Sequence, residues 1–178
     1  MSQAEKIVIT GAPLRWQDVV AVARHGAQLE LSSDTWARIE NAQAIVQRIV
    51  ASGERAYGVN TGLGGLSNVS LQDQQLSQLS RNTLLSHACG VGPVLADEQT
   101  RAIICAAIHN YSHGKSGLHR RVVEGLLALL NRGITPQVPS QGSVGYLTHM
   151  AHIGITLLGV GNVSYRGQII SAQQALAE

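Results

Sequence analysis

The sequence predicts a mainly helical chain with one short strand and one small hairpin. Apolar residues recur at helical spacing over Ile39, Ala42, Ile45, Val46 and Ile49, and again from Val122 through Leu126 to Leu130. The stretch Ala102 to Ile108 is apolar all round, as a helix central to a bundle would be. Strand character is weak, with Ile7 and Ile9 alternating within Lys6 to Thr10 and a turn-centred pattern over Val163 to Ile170.

Taken in order, Lys6 to Thr10 reads as the short strand and Pro13 breaks the chain. Gln17 to His25 forms a short helix stopped by Gly26. Ser33 and Asp34 are placed to cap a longer helix over Trp36 to Val50, which Gly53 ends. The run Tyr57 to Leu66 has neither period and is a glycine loop. Ser70 and Asp73 open a helix to about His87, and Gly90 to Pro93 is a turn. Asp97 and Glu98 put negative charge where the next helix dipole favours it. Arg120 to Asn131 is a helix with Gly133 just past its end, and Pro136 and Pro139 extend the loop that follows. A helix runs from after Gly145 to about Leu158, and the hairpin turns at Arg166-Gly167. Ser171 and Gln174 cap a final helix that stops at Glu178 after barely two turns, as though the chain were a piece of something longer.

Composition narrows the function classes. A length of 178 residues suits one domain able to bury roughly 70% of its unfolded surface. Charged residues make up 13%, apolar ones 44% and aromatics 3%, with no Phe and a net charge of +2, which excludes a disordered chain. Thirteen basic against eleven acidic residues form no basic tract, so a phosphate-driven nucleic-acid binder is not expected. No apolar run reaches membrane-spanning length and the N-terminus lacks a signal-peptide core, so the expectation is a soluble, cytoplasmic protein without a membrane partner. Cys89 and Cys105 are then expected to be free, buried thiols. So little charge implies that much of the surface is covered by something else.

Several segments could carry chemistry. Glycines around Tyr57 let the backbone approach a ligand, and a phenol there could act as a general base if neighbouring charge or donors favoured its phenolate. A plain helix-to-helix turn explains the same composition. The segment is no dinucleotide fingerprint, because the third glycine is absent. Gly114-Lys-Ser116 is no phosphate loop, because His109 stands where its first glycine belongs. His109 with His113, and His149 with His152, could share helix faces, but hydrogen-bonded histidines are favoured over a metal site. His87 ends its helix against a glycine turn, from which a side chain can enter a cleft. Ser140 to Gly145 leads into a helix, where backbone N–H groups could face an electron-rich centre or simply form a turn.

From about Gly53 to the end, these blocks resemble the N-terminal part of the histidine ammonia-lyase family, which includes other aromatic amino acid ammonia-lyases and aminomutases. The matching stretches are Tyr57-Gly-Val-Asn-Thr-Gly-Leu-Gly64, Leu85 to Pro93, Asn110 to Gly117, Leu130 to Pro136, Gly142-Ser-Val-Gly145, His152, Leu157-Leu-Gly159 and Gly167 to Ala175. The resemblance implies a fumarase/aspartase-like helical bundle of which residues 1–178 are the N-terminal, ring-bearing portion. It further implies a remaining C-terminal polypeptide and a homotetramer.

Family members use a 4-methylidene-imidazol-5-one ring made from an internal Ala-Ser-Gly. Here Gly145 is followed directly by Tyr146, leaving a three-residue gap where that triad belongs. Either the residues exist as one modified unit that one-letter notation omits, or they are deleted. The clean gap favours the first. Tyr146 and His149 also replace the family's Asp and Pro.

By resemblance, Tyr57 is the catalytic base, Gly64 lines the substrate's path, His87 contacts the substrate's ring, and Gly145 and Tyr146 flank the electrophile, with no metal or nucleotide. Leu63 replaces the family's usual aromatic. A polar residue at position 87 suits histidine first, giving urocanate, and tyrosine second. An aminomutase, or a non-catalytic lyase-like subunit if the triad is deleted, are the alternatives.

Overall fold

The computed structural model describes residues 5–61, 73–142 and 147–178, with side chains from Ser77 onward in the second stretch. It is mainly helical, as the periodicity predicts. Strand β1 (Lys6–Ile9) pairs in parallel with β2 (Gln28–Leu31), and α1 (Trp16–His25) connects them. Strand β2 is not evident in the sequence. Its Leu29 and Leu31 are buried, and the Asn131 side chain receives Leu29 N–H and donates to Leu29 O, both at 2.9 Å. The alternation of Leu29 and Leu31 with Gln28 and Glu30 spans only four residues, too short a run to mark a strand without its partner β1 and the Asn131 side chain.

Helix α2 (Ser33–Ser52) is capped one residue earlier than expected: Ser32, not Ser33 or Asp34, accepts the Thr35 N–H through its hydroxyl. Thr35 is buried and donates to Ile9 O, fastening α2 to β1. Helix α3 (Asp73–His87) matches the expectation at its C-terminal end, while the Ser70 part of its expected cap lies outside the described residues.

Past α3, the expected turn at Gly90–Pro93 is instead largely a strand, β3 (Val91–Val94). Helices α4 (Asp97–Ser112) and α5 (Arg120–Asn131) form the centre, burying Ile104, Cys105 and Ile108 against Val123, Leu126 and Leu129. The all-round burial expected of Ala102 to Ile108 holds for only part of it, because Ala106 is exposed. The extended proline segment resolves into β4 (Thr135–Pro136) and β5 (Pro139–Gln141) in two different sheets. Strand β5 runs antiparallel to β3, and β4 runs antiparallel to β6 (Asn162–Tyr165).

Helix α6 (Leu147–Leu157) precedes the hairpin of β6 and β7 (Gln168–Ser171). Arg166 and Gly167 both take positive φ, the turn that a right-twisted hairpin needs. Helix α7 (Ala172–Ala177) starts with the expected reciprocal cap: Gln174 N–H donates to Ser171 Oγ and Ser171 N–H donates to Gln174 Oε1. Cys105 is buried as expected, and burial pushes its thiol up to about 11. Cys89 is exposed, a correction that follows from its place in the short α3–β3 link.

Arg101 binds the centre together. It is 8% exposed, and its guanidinium donates to Val22 O at 2.7 Å, Ala23 O at 3.2 Å and Leu130 O at 3.1 Å. One cation thus satisfies carbonyls near the C-terminal ends of α1 and α5, where the helix dipoles favour positive charge.

Candidate active site

The described site is built from two pieces. The first is the turn after α2. Asn60 is buried, receives Ala56 N–H at 2.9 Å and donates to Glu54 O at 2.7 Å, closing residues 54–60 into a compact staple. Gly58 sits at φ 72°, a left-handed conformation that only glycine takes cheaply. Tyr57 lies on this staple with its side chain 68% exposed, and Thr61 beyond it is buried. Asn60 lies inside a motif the sequence singles out, yet its part in holding the turn is evident only from its partners.

The second piece is where α3 meets the start of α6. His87 closes α3 with Nδ1 2.8 Å from Thr83 O. A carbonyl can only accept, so the proton belongs on Nδ1 and Nε2 is left as an acceptor. Ser86 Oγ lies 3.1 Å from the same Nδ1 and itself donates to Thr83 O. Three residues on, Gly90 N–H donates to His152 Nε2 at 3.0 Å. A side chain at Gly90 would meet His152 Nε2, Pro139 Cβ and Gln141 O at 3.1–3.2 Å, so glycine lets α3, β5 and α6 close on one point.

The pairing of β3 with β5 sets Val91 opposite Gln141 and brings Gly142 alongside. Thr148 Oγ1 then donates to Gly142 O at 3.1 Å, tying the two sides of residues 143–146 together. The His87 end of α3, Gly90, Gly142, Thr148 and His152 therefore converge. Tyr57 is carried on its own staple, held by bonds local to residues 54–60. Gly64, Gly145 and Tyr146 lie outside the described residues.

His152 accepts through Nε2, which keeps its proton on Nδ1. Its burial, and secondly the neighbouring His149, lower its pKa. His149 Nε2 is buried with no hydrogen-bond partner among the described residues. In the other histidine pair, His109 Nε2 receives Leu14 N–H at 3.2 Å, and its ring meets His113 edge to face at 5.0 Å. His109 and His152 are thus hydrogen-bonded to backbone, as the sequence favours. Among the described residues no group of three or more His, Cys, Asp or Glu is placed to hold a metal ion. Among them too, no helix is long and apolar enough to cross a membrane.

A family model described as aromatic amino acid lyase matches residues 14–178. The histidine ammonia-lyase of Treponema denticola is 40% identical over 179 aligned positions, covering 99% of this chain and 35% of that protein. That of Deinococcus radiodurans is 41% identical, covering 96% and 33%. Among solved structures, an ergothioneine-degrading enzyme, ergothionase, from Treponema denticola, bound to desmethyl-ergothioneine sulfonic acid, superposes with a TM-score of 0.94. It is 31% identical and covers 97% of this chain and 35% of that one. The chain thus spans about a third of the length of the relatives it matches. The 179 positions aligned to the first relative exceed the 178 residues of this chain, so that relative carries residues this chain lacks.

Proposed function

The chain belongs to the aromatic amino acid lyase family, and from that premise we propose that it is the N-terminal, site-bearing portion of a carbon–nitrogen lyase of the histidine ammonia-lyase type. The observation carrying this reading is similarity to histidine ammonia-lyases along nearly the whole chain. The proposed substrate is an aromatic amino acid, histidine first and tyrosine second. The product is the matching α,β-unsaturated acid, urocanate for the histidine skeleton. The relative described as degrading ergothioneine supports the imidazole, because ergothioneine is itself a histidine derivative.

Two side chains are assigned roles. Tyr57, presented on the 54–60 staple, takes the β proton as phenolate. His87 offers Nε2 to an N–H of the substrate imidazole, or to a phenol O–H, since Nδ1 is engaged by Thr83 O. A phenylalanine ring offers neither donor, which supports the preference for polar rings. Gly64 is assigned to the substrate's path. The remaining site residues, a homotetrameric assembly and a cytoplasmic setting belong to the same proposal, made for the full-length protein.

The family implies a protein-derived 4-methylidene-imidazol-5-one, expected between Gly145 and Tyr146. The residues present do not fit that group. The sequence has no Ala-Ser-Gly there, and its single copy of that triad, Ala51-Ser52-Gly53, ends α2. Ser52 Oγ donates to Ile49 O and receives Glu54 N–H, the bonds of an exposed helix terminus. No step is therefore routed through the ring.

The test is to incubate the full-length protein with amino acids carrying imidazole, phenol or phenyl side chains and follow the unsaturated acids by their ultraviolet absorbance. Product from the imidazole skeleton supports the reading. Product only from the phenyl compound contradicts the role of His87.

A further inference from the structure

We infer that a second binding site, sharing no residue with the candidate active site, takes a phosphate dianion, free or as the monoester of a small metabolite. It is the cavity of about 500 Å³ between the loop after β1, helix α2 and the turn that follows α4. Arg38 of α2, Asn110 and His113 at the end of α4, and Lys115 and Ser116 of the turn line it, and no Asp or Glu does. The inference stands apart from the lyase reading.

Glycines close the cavity. A side chain at Gly11 (φ 99°) would come within 2.6 Å of Arg38 Nη2, and one at Gly114 (φ 66°) within 2.6 Å of Arg38 O. Gly117, also at φ 66°, lies against Val46 with no room for a Cβ. Glycine at these three positions lets the loop after β1 and the turn after α4 settle onto α2. His109 Nε2 receives Leu14 N–H at 3.2 Å and pins that loop to α4. The Gly114-Lys-Ser116 run, which lacks the spacing of a phosphate loop, thus brings its Lys and Ser to the same concavity as Arg38.

The charge there is uncompensated. Of the five N–H groups of a guanidinium, Arg38 commits three: Nε to Ser112 O at 3.3 Å, and Nη2 to Thr10 O at 3.1 Å and Thr35 Oγ1 at 2.8 Å. These bonds fix the group and leave Nη1 without a partner among the described residues. Lys115 makes no hydrogen bond or ion pair among them either, since the ion pairs use Lys6, Arg15, Arg24, Arg120 and Arg166. Two permanent cations lining one cavity repel each other, and an anion between them relieves that repulsion. A carboxylate pairs best with a two-pronged guanidinium edge, and with Nε and both Nη2 protons engaged Arg38 has no such edge to offer. Its Nη1, the Lys115 point charge, the Ser116 hydroxyl and the Asn110 amide instead suit oxygens spread over a tetrahedral phosphate, whose charge of about −2 matches two cations. The volume falls in the range of small-molecule sites, about 300–1,000 Å³, and leaves room for an organic group beyond the phosphate.

The experiment is isothermal titration calorimetry of the full-length protein with inorganic phosphate, glycerol 3-phosphate and, as a dicarboxylate, succinate. The expected result is saturable binding of the phosphate probes at one site per chain, at least tenfold tighter than succinate. Lys115→Met is expected to weaken it about tenfold or more. Lys115 is exposed, so that variant is expected to keep its circular dichroism. Arg132→Met, which removes the same charge from a separate cleft, is expected to leave the affinity unchanged. Tighter binding of the ester names a phosphorylated metabolite as the source, and binding no tighter than inorganic phosphate names free phosphate. Absence of saturable phosphate binding overturns the inference, as does succinate bound equally tightly. Full affinity in Lys115→Met, or an equal loss in Arg132→Met, overturns it too, because binding then lies elsewhere or follows net charge alone.

Discussion

The position of one proton on His87 decides which side chains the proposed site accepts. Thr83 O engages Nδ1, so Nε2 is an acceptor and its natural partner is a donor on the substrate ring. Replacing His87 by Leu removes that acceptor. The expected outcome is a fall of about tenfold or more in kcat/KM for imidazole substrates, carried mainly by KM, in steady-state assays. Tyr57→Phe is expected to act on kcat instead, by about 100- to 10,000-fold, with little change in stability because the ring is 68% exposed. His152 gives a pH signature. Its folded pKa lies below the unfolded value near 6.5, so the unfolded chain binds the extra proton first. The stability this group contributes is full above the unfolded pKa and is lost as pH falls from there through the folded pKa. His152→Gln, which retains an acceptor for Gly90 N–H, is expected to flatten denaturation midpoints over that acidic window. The roles proposed for Tyr57 and His87 rest on the family motifs in the sequence. The partners that fix them, Asn60 and Thr83, emerge only when the backbone is folded.

Elements with a strong local period agree with the sequence, and those set by distant pairing do not. Helices α1, α2, α4 and α5 fall within a few residues of their expected ranges, because apolar spacing and glycine ends are written locally. Strand β2 escapes sequence reading because it is only four residues long, and β3 and β5 because each is short and pairs with a segment far away. Val91 and Val94 on β3 are exposed, so no alternation marks it. The site inherits this division: α3 and α6 are visible in the sequence, but the β3–β5 pairing that draws Gly90 to Gly142 is not. Arg101 is the element-level anchor that sequence conceals, since a single Arg in an apolar helix gives no hint of the two helix ends it serves. Arg101→Met leaves the carbonyls of Val22, Ala23 and Leu130 without their donor. The expected cost is about 3 kcal/mol, from roughly 1 kcal/mol per lost bond, read from urea denaturation.

At the scale of the molecule, part of the exposed apolar surface lies beside the candidate site, while Trp16, Ile169 and Val8 are exposed elsewhere. Leu85, Val91, Val94, Leu147 and Leu158 are 40–61% exposed and lie on the ends of α3 and α6 and on β3, the same elements that frame the site. Relatives are about three times as long, and apolar surface beside a buried reaction site is what the rest of such a protein covers. The isolated 178-residue chain is expected to bind a hydrophobic fluorescent dye strongly, and the full-length protein weakly. The most direct measurement of the central claim is proton NMR of the full-length protein mixed with histidine and, separately, with tyrosine. The expected result is the vinyl proton pair of urocanate growing in, lost in Tyr57→Phe. Spectra of both mixtures unchanged after prolonged incubation with folded protein would contradict it.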